Sequence, residues 1–122
     1  MATAPVDRVH LERLATRFGA HFLIQLIDLF IAQGRERLAA AEQGVAAGDV
    51  AVVIAAAHAL KSSAGNLGAA SLGECAAEVE RRGNNGASAE TLAPMVATLT
   101  DLFAAACAML EAMRLDVERR MA

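Results

Sequence analysis

Tryptophan and tyrosine are absent from this chain, lysine occurs once, and only four residues are phenylalanine. Few aromatics leave little with which to stack on bases. The 11 Lys and Arg residues are outnumbered by 14 Asp and Glu, for a formal charge of −3, and arginines and acids are interleaved rather than gathered on one face. Nucleic-acid binding therefore has no support. Cysteine occurs twice. Cys75 shares an apolar helical stripe with Leu72 and Val79, and Cys107 shares one with Phe103 and Leu110. Both read as buried thiols rather than as a disulfide or a metal site. His10, His21 and His58 lack the spacing that would build a zinc site with them. The longest nearly apolar run, residues 22–31, contains Gln25 and Asp28 and is too short to cross a bilayer. Residues 1–7 have neither the charged nor the apolar part of a signal peptide. No membrane attachment is expected, and a cytoplasmic location follows by default. Nucleotide binding lacks its glycine-rich phosphate loop, and no acidic cluster suggests a metal, so no cofactor of the chain's own is expected.

The 122 residues are 56% hydrophobic, dominated by alanine and leucine. That composition favours packed helices over sheets, and the length suits one domain spanning residues 1–122. Residues 1–5 read as a loose tail. Asp7 starts a short helix to about Arg17, with Val9 or His10, Leu14 and Phe18 as its apolar side, and Gly19 breaks it. A long helix follows from about Ala20 to Ala47, with Leu23, Ile27, Phe30, Leu38, Ala41 and Val45 facing a core. Phe22, Leu26 and Leu29 spread its apolar surface to one flank, which either the short first helix covers or a partner receives. Gly48-Asp49 is a helix stop and a cap. The next helix runs from about Val50 to Leu67 and ends at Gly68. Another runs from about Ala70 to Arg82, with Ser71 and Glu74 at capping-box spacing. Residues 83–86, Gly-Asn-Asn-Gly, read as a loop. Ser88 or Thr91 caps the last helix, whose first turn should hold Pro94, and residues from about 115 to 122 should fray. The expected fold is all-α: an antiparallel up-down four-helix bundle with a short additional N-terminal helix.

The most informative stretch is residues 57–69, Ala-His-Ala-Leu-Lys-Ser-Ser-Ala-Gly-Asn-Leu-Gly-Ala. Val53, Ala57, Leu60, Ala64 and Leu67 recur at helical spacing and point at the core. His58, Lys61, Ser62 and Gly65 form a second stripe that faces solvent. Lys61, the only lysine, lies one turn beyond the histidine. Gly65 lies two turns on and leaves the imidazole uncovered, although an interior glycine costs about 1 kcal/mol relative to alanine. Such a histidine, held as one tautomer with a cation beside it, suits acceptance of a phosphoryl group, a reaction that needs positioning and charge stabilisation.

This stretch resembles the signature of histidine-containing phosphotransfer (HPt) domains, on His58, Leu60, Lys61, Ala64, Gly65, Leu67, Gly68 and Ala69. Ser62 departs from it, because the family usually has glycine there; tighter access to the imidazole is expected, without loss of function. The resemblance implies a phosphoryl carrier of a two-component phosphorelay rather than an ATP-using kinase. His58 would exchange the group with an aspartate of a response-regulator receiver domain, and a hybrid histidine kinase is a further partner. The receiver would bring the divalent metal. Lys61 is expected to neutralise phosphoryl charge. Ser62, Gly65, Phe22, Leu26 and Leu29 are expected to form the docking surface, on a monomer. Two alternatives are a phosphotransfer module of a larger histidine kinase and a non-catalytic helical scaffold. The start methionine and charged end favour a stand-alone protein.

Some members of that family carry a glutamate that bonds the histidine ring, and Glu80 has the matching place. His58 lies about 15 Å before the turn at Gly68 and Glu80 about 18 Å after it, at 1.5 Å per residue. The offset closes because helical side chains lean toward their own N-terminus. Glu80 is therefore expected to orient the imidazole.

Overall fold

The computed structural model describes residues 4–122, which form five helices and no strand. These are α1 (Arg8–Phe18), α2 (Ala20–Ala47), α3 (Val50–Leu67), α4 (Ala70–Asn84) and α5 (Ala89–Met121). α2 packs on α3 and α5, and α4 packs on the same two helices, so the four close into a bundle with α1 lying on α2. Short reversals join consecutive helices of the bundle, which makes them antiparallel neighbours. The core is aliphatic: Leu23, Ile27, Leu60, Leu67, Leu72, Leu92, Leu99 and Leu110 are all fully buried. α3 and α5 are by length and composition apolar enough to cross a membrane. Their alanine content hid this from the search for a continuous greasy run, and in the bundle Val53, Leu60 and Leu67 of α3 and Leu92, Leu99 and Leu110 of α5 line this core.

The reversals explain themselves chemically. Gly48 and Gly68 adopt left-handed conformations at φ 69° and 67°, which glycine enters without a Cβ penalty. Asp49 then caps α3 by accepting the Val52 N–H, and Ser88 caps α5 by accepting the Thr91 N–H. At Gly68 a Cβ would also lie 2.7 Å from that of Asp7. The missing side chain lets the Asp7 N–H donate to the Gly68 carbonyl at 3.0 Å, while Asp7 caps α1 through the His10 N–H. His10 Nε2 sits 2.9 Å from the Asn66 carbonyl, a second clasp between α1 and the end of α3.

Five expectations change. On the apolar side of α1 Leu14 packs against the core as expected, but the buried residues are Leu11 and, just before the helix, Val6, whereas Val9 and Phe18 are exposed. Val6 and Leu11 hold the positions just before the cap and four beyond it, where a hydrophobic staple forms. Ser71 and Glu74 make no capping box, because α4 begins directly from the reversal: its cap position is Ala69, with no side-chain bond. Gly83 and Asn84 belong to α4 rather than to the following loop. A Cβ on Gly83 would lie 2.5 Å from Ile54, so the glycine serves close packing of α4 on α3. Pro94 lies in the second turn of α5, since the helix starts at Ala89; so near the start, it forfeits only the bond to the Glu90 carbonyl. Finally, α5 continues through Met121 instead of fraying from about 115. Arg114 grips Asp28 of α2 with two bonds of 2.8 and 3.0 Å and also pairs with Glu118, and Arg120 pairs with Asp116.

Candidate functional site

The imidazole of His58 stands on the outer face of α3, with 60% of its side chain exposed. Leu60 and Ala57 beside it in sequence are buried, so the helix is held in register by its inner face while the ring projects outward. α4 runs back along α3 from the reversal at Gly68 and delivers Glu80 to the ring. His58 Nδ1 lies 2.6 Å from Glu80 Oε2, and Lys61 Nζ donates to Glu80 Oε1, also at 2.6 Å. The Glu80 side chain is only 17% exposed. Hydrogen bonding from Lys61 holds its carboxyl below the ordinary carboxylate range, against the opposing effect of burial, and the His58 bond adds to the lowering. Glu80 is therefore ionised at neutral pH. An ionised carboxylate only accepts, so the hydrogen at this contact sits on Nδ1. In the neutral ring Nε2 then carries the lone pair and faces away from Glu80.

His58, Lys61 and Glu80 are thus brought together. The contact between Lys61 and Glu80 is not among the sequence-based expectations, which set Lys61 against the histidine alone. Spacing along α3 alone does not say which of its side chains meets α4, so the sequence carried no signal for it.

Around this trio the surface is low. Ser62 is exposed, and its hydroxyl donates back to the His58 carbonyl at 3.3 Å. A Cβ on Gly65 would meet nothing within 4 Å. Lys61 borders a trough of about 410 Å³ between α3 and α4, floored by Ala64, Gly65, Gly73 and Ala77. Across α3 from it, Leu26 and Leu29 line a shallow cleft with Ser63 and Asn66. Leu29 and Phe22 remain exposed and Leu26 half-buried, so α1 leaves most of this flank open and reaches it at Phe22. There Phe22 pairs with Phe18, ring centroids 5.0 Å apart.

A hollow of about 460 Å³ between α2 and α5 includes Arg35, Phe103 and Cys107 and holds none of this chemistry. Cys75 and Cys107 are free thiols. Burial pushes both up, Cys107 to about 11, which leaves them poor nucleophiles. Among the described residues no group of three His, Cys, Asp or Glu side chains is arranged to hold a metal ion.

The sequence model of the Hpt domain matches residues 25–116. The chain belongs to the Hpt domain family. Its function is accordingly histidine phosphotransfer in a two-component phosphorelay. Two solved Hpt structures share the fold. Histidine-containing phosphotransfer protein B (HptB) from Pseudomonas aeruginosa PAO1 superposes with a TM-score of 0.80 at 24% identity, over 94% of this chain and 98% of that one. The HPT domain of a sensor hybrid histidine kinase from Shewanella gives 0.77 at 13% identity, over 90% of this chain and 93% of that one. No curated protein matches the sequence. The Hpt match spans every residue of the trio and all but the start of α2.

Proposed function

We propose that His58 is the phosphorylated residue and that it exchanges its phosphoryl group with an aspartate of a response-regulator receiver domain. The observation that carries this reading is the 2.6 Å contact between His58 Nδ1 and Glu80 on an otherwise exposed ring. With Nδ1 protonated, the Nε2 lone pair attacks phosphorus. The bond from phosphorus to the aspartyl oxygen breaks, and the aspartate leaves as a carboxylate. The ring keeps its Nδ1 proton and gains positive charge, which the Glu80 carboxylate balances. Lys61 has three donors and spends one on Glu80, leaving two for phosphoryl oxygens. In the reverse direction the same contacts return the group to the receiver.

The receiver docks over Ser62 and Gly65 and reaches the Phe22, Leu26 and Leu29 flank, and the divalent metal sits in the receiver's own acidic pocket. A hybrid histidine kinase that carries such a receiver is a partner of the same kind. The protein acts as a single cytoplasmic domain and as a monomer.

The test needs no partner. Phosphoramidate transfers its phosphoryl group to histidine, with ammonia leaving as the new bond to nitrogen forms. The wild type should gain one phosphohistidine, visible by ³¹P NMR, and His58→Gln should gain none while keeping its thermal midpoint. Full labelling of His58→Gln would move the site to His10 or His21.

A further inference from the structure

Ser62 has so far entered only as part of a docking surface, yet its hydroxyl is close to the reacting group and weakly committed. At 100° per residue, Lys61 lies about 60° to one side of His58 around α3 and Ser62 about 40° to the other. Residues four apart in a helix have Cβ atoms about 5–6 Å apart. Side chains lean toward the helix N-terminus, so Ser62 leans toward His58. Among the described residues its one hydroxyl bond, to the His58 carbonyl, is 3.3 Å long, beyond the usual range of about 2.5–3.0 Å for a hydroxyl donor. In a helix that carbonyl already accepts the N–H of residue 62. Releasing the hydroxyl therefore leaves no group unpaired. Glu80 anchors Nδ1 on the α4 side, where Lys61 also lies, so a group on Nε2 projects away from α4. Gly65 places no side chain in its way.

We propose that the Ser62 hydroxyl donates to the phosphoryl group carried on His58, opposite the Lys61 ammonium. The inference rests on His58 being the phosphorylated residue. Ser62 then acts chemically as well as sterically. Phosphohistidine hydrolysis passes through a loose, metaphosphate-like transition state, in which the phosphoryl oxygens are less negative than in the ground state. A donor on those oxygens favours the ground state and lengthens the life of the phosphoprotein.

The experiment charges wild type, Ser62→Ala, Ser62→Gly and Ser62→Thr with phosphoramidate and follows the ³¹P resonance with time. Ser62→Ala and Ser62→Gly should lose the label roughly three- to tenfold faster and shift the resonance. That is a fraction of a full charged hydrogen bond, because the transition state keeps part of the charge. Ser62→Thr, which retains a hydroxyl, should stay near the wild type. A wild-type lifetime and ³¹P shift in Ser62→Ala and Ser62→Gly would overturn the proposal, as would a threonine variant no better than alanine. His58→Gln separates the two claims. If it charges, the assignment of His58 fails; if it stays uncharged while Ser62→Ala behaves as wild type, only the hydroxyl's role fails.

Discussion

At Glu80 one carboxylate serves two donors, His58 through Oε2 and Lys61 through Oε1. The arrangement joins nucleophile and cation, so removing the carboxylate releases both. The neutral histidine side chain in water favours the tautomer with hydrogen on Nε2, which leaves no lone pair there to attack. Glu80→Ala should therefore move hydrogen from Nδ1 to Nε2, seen in the ring ¹⁵N shifts, and slow phosphoramidate charging about tenfold, as loss of an orienting partner does elsewhere. Glu80→Gln retains an oxygen acceptor and should keep most of the Nδ1–H tautomer. Identical ¹⁵N shifts in wild type and Glu80→Ala would show that the contact does not set the tautomer. The pairing of His58 with Glu80 was legible in the sequence because it follows from helical rise, one turn position and the lean of side chains. The contact of Lys61 with the same carboxylate was not, because three groups compete there and spacing along one helix does not rank them.

Between elements, two glycines of outwardly similar setting do opposite things. Gly34 lies inside α2, where a Cβ would fall 2.1 Å from the Phe103 ring of α5. The ring also stacks near Phe30, with centroids 5.4 Å apart, so it has little freedom to withdraw. Gly34→Ala should destabilise the bundle by overpacking, about 1–3 kcal/mol, against a helical gain of about 1 kcal/mol. Gly65→Ala meets nothing and should stabilise by up to about 1 kcal/mol. Urea unfolding of both variants checks the contrast; equal midpoints would mean that the Phe103 ring yields freely. Periodicity marked Gly34 as one more position in a long helix and could not see the ring opposite. The same limit blurred the apolar side of α1, where Leu14 packs on the core and Val9 and Phe18 do not. Over 11 residues the stripe was ambiguous, whereas the staple around the Asp7 cap would have pointed to Val6 and Leu11.

On the scale of the whole molecule, α2 and α3 stand at the residues the pattern marked, because each is bounded by a left-handed glycine or an aspartate cap with a distinct signature. The end of α5 was harder to read, since Arg114 is held by Asp28, 86 positions away. That contrast between near and far also governs the clasp of Asp7 on Gly68, with consequences for the order of folding. The hairpins α2–α3 and α3–α4 close between neighbours in sequence, so their loop entropy is met early. Joining Asp7 to Gly68 must close a loop of some 60 residues, at about 0.6 kcal/mol more for each doubling of length. The N-terminal helix should therefore dock after the bundle's rate-limiting step. Asp7→Ala, which removes a cap worth about 1 kcal/mol, should speed unfolding about fivefold and leave the folding rate nearly unchanged. Stopped-flow kinetics read the two arms separately, and a slowed folding arm would place the clasp in the nucleus. With the clasp closing last, the phosphotransfer trio, confined to α3 and α4, assembles before the chain's first helix is fastened over its end.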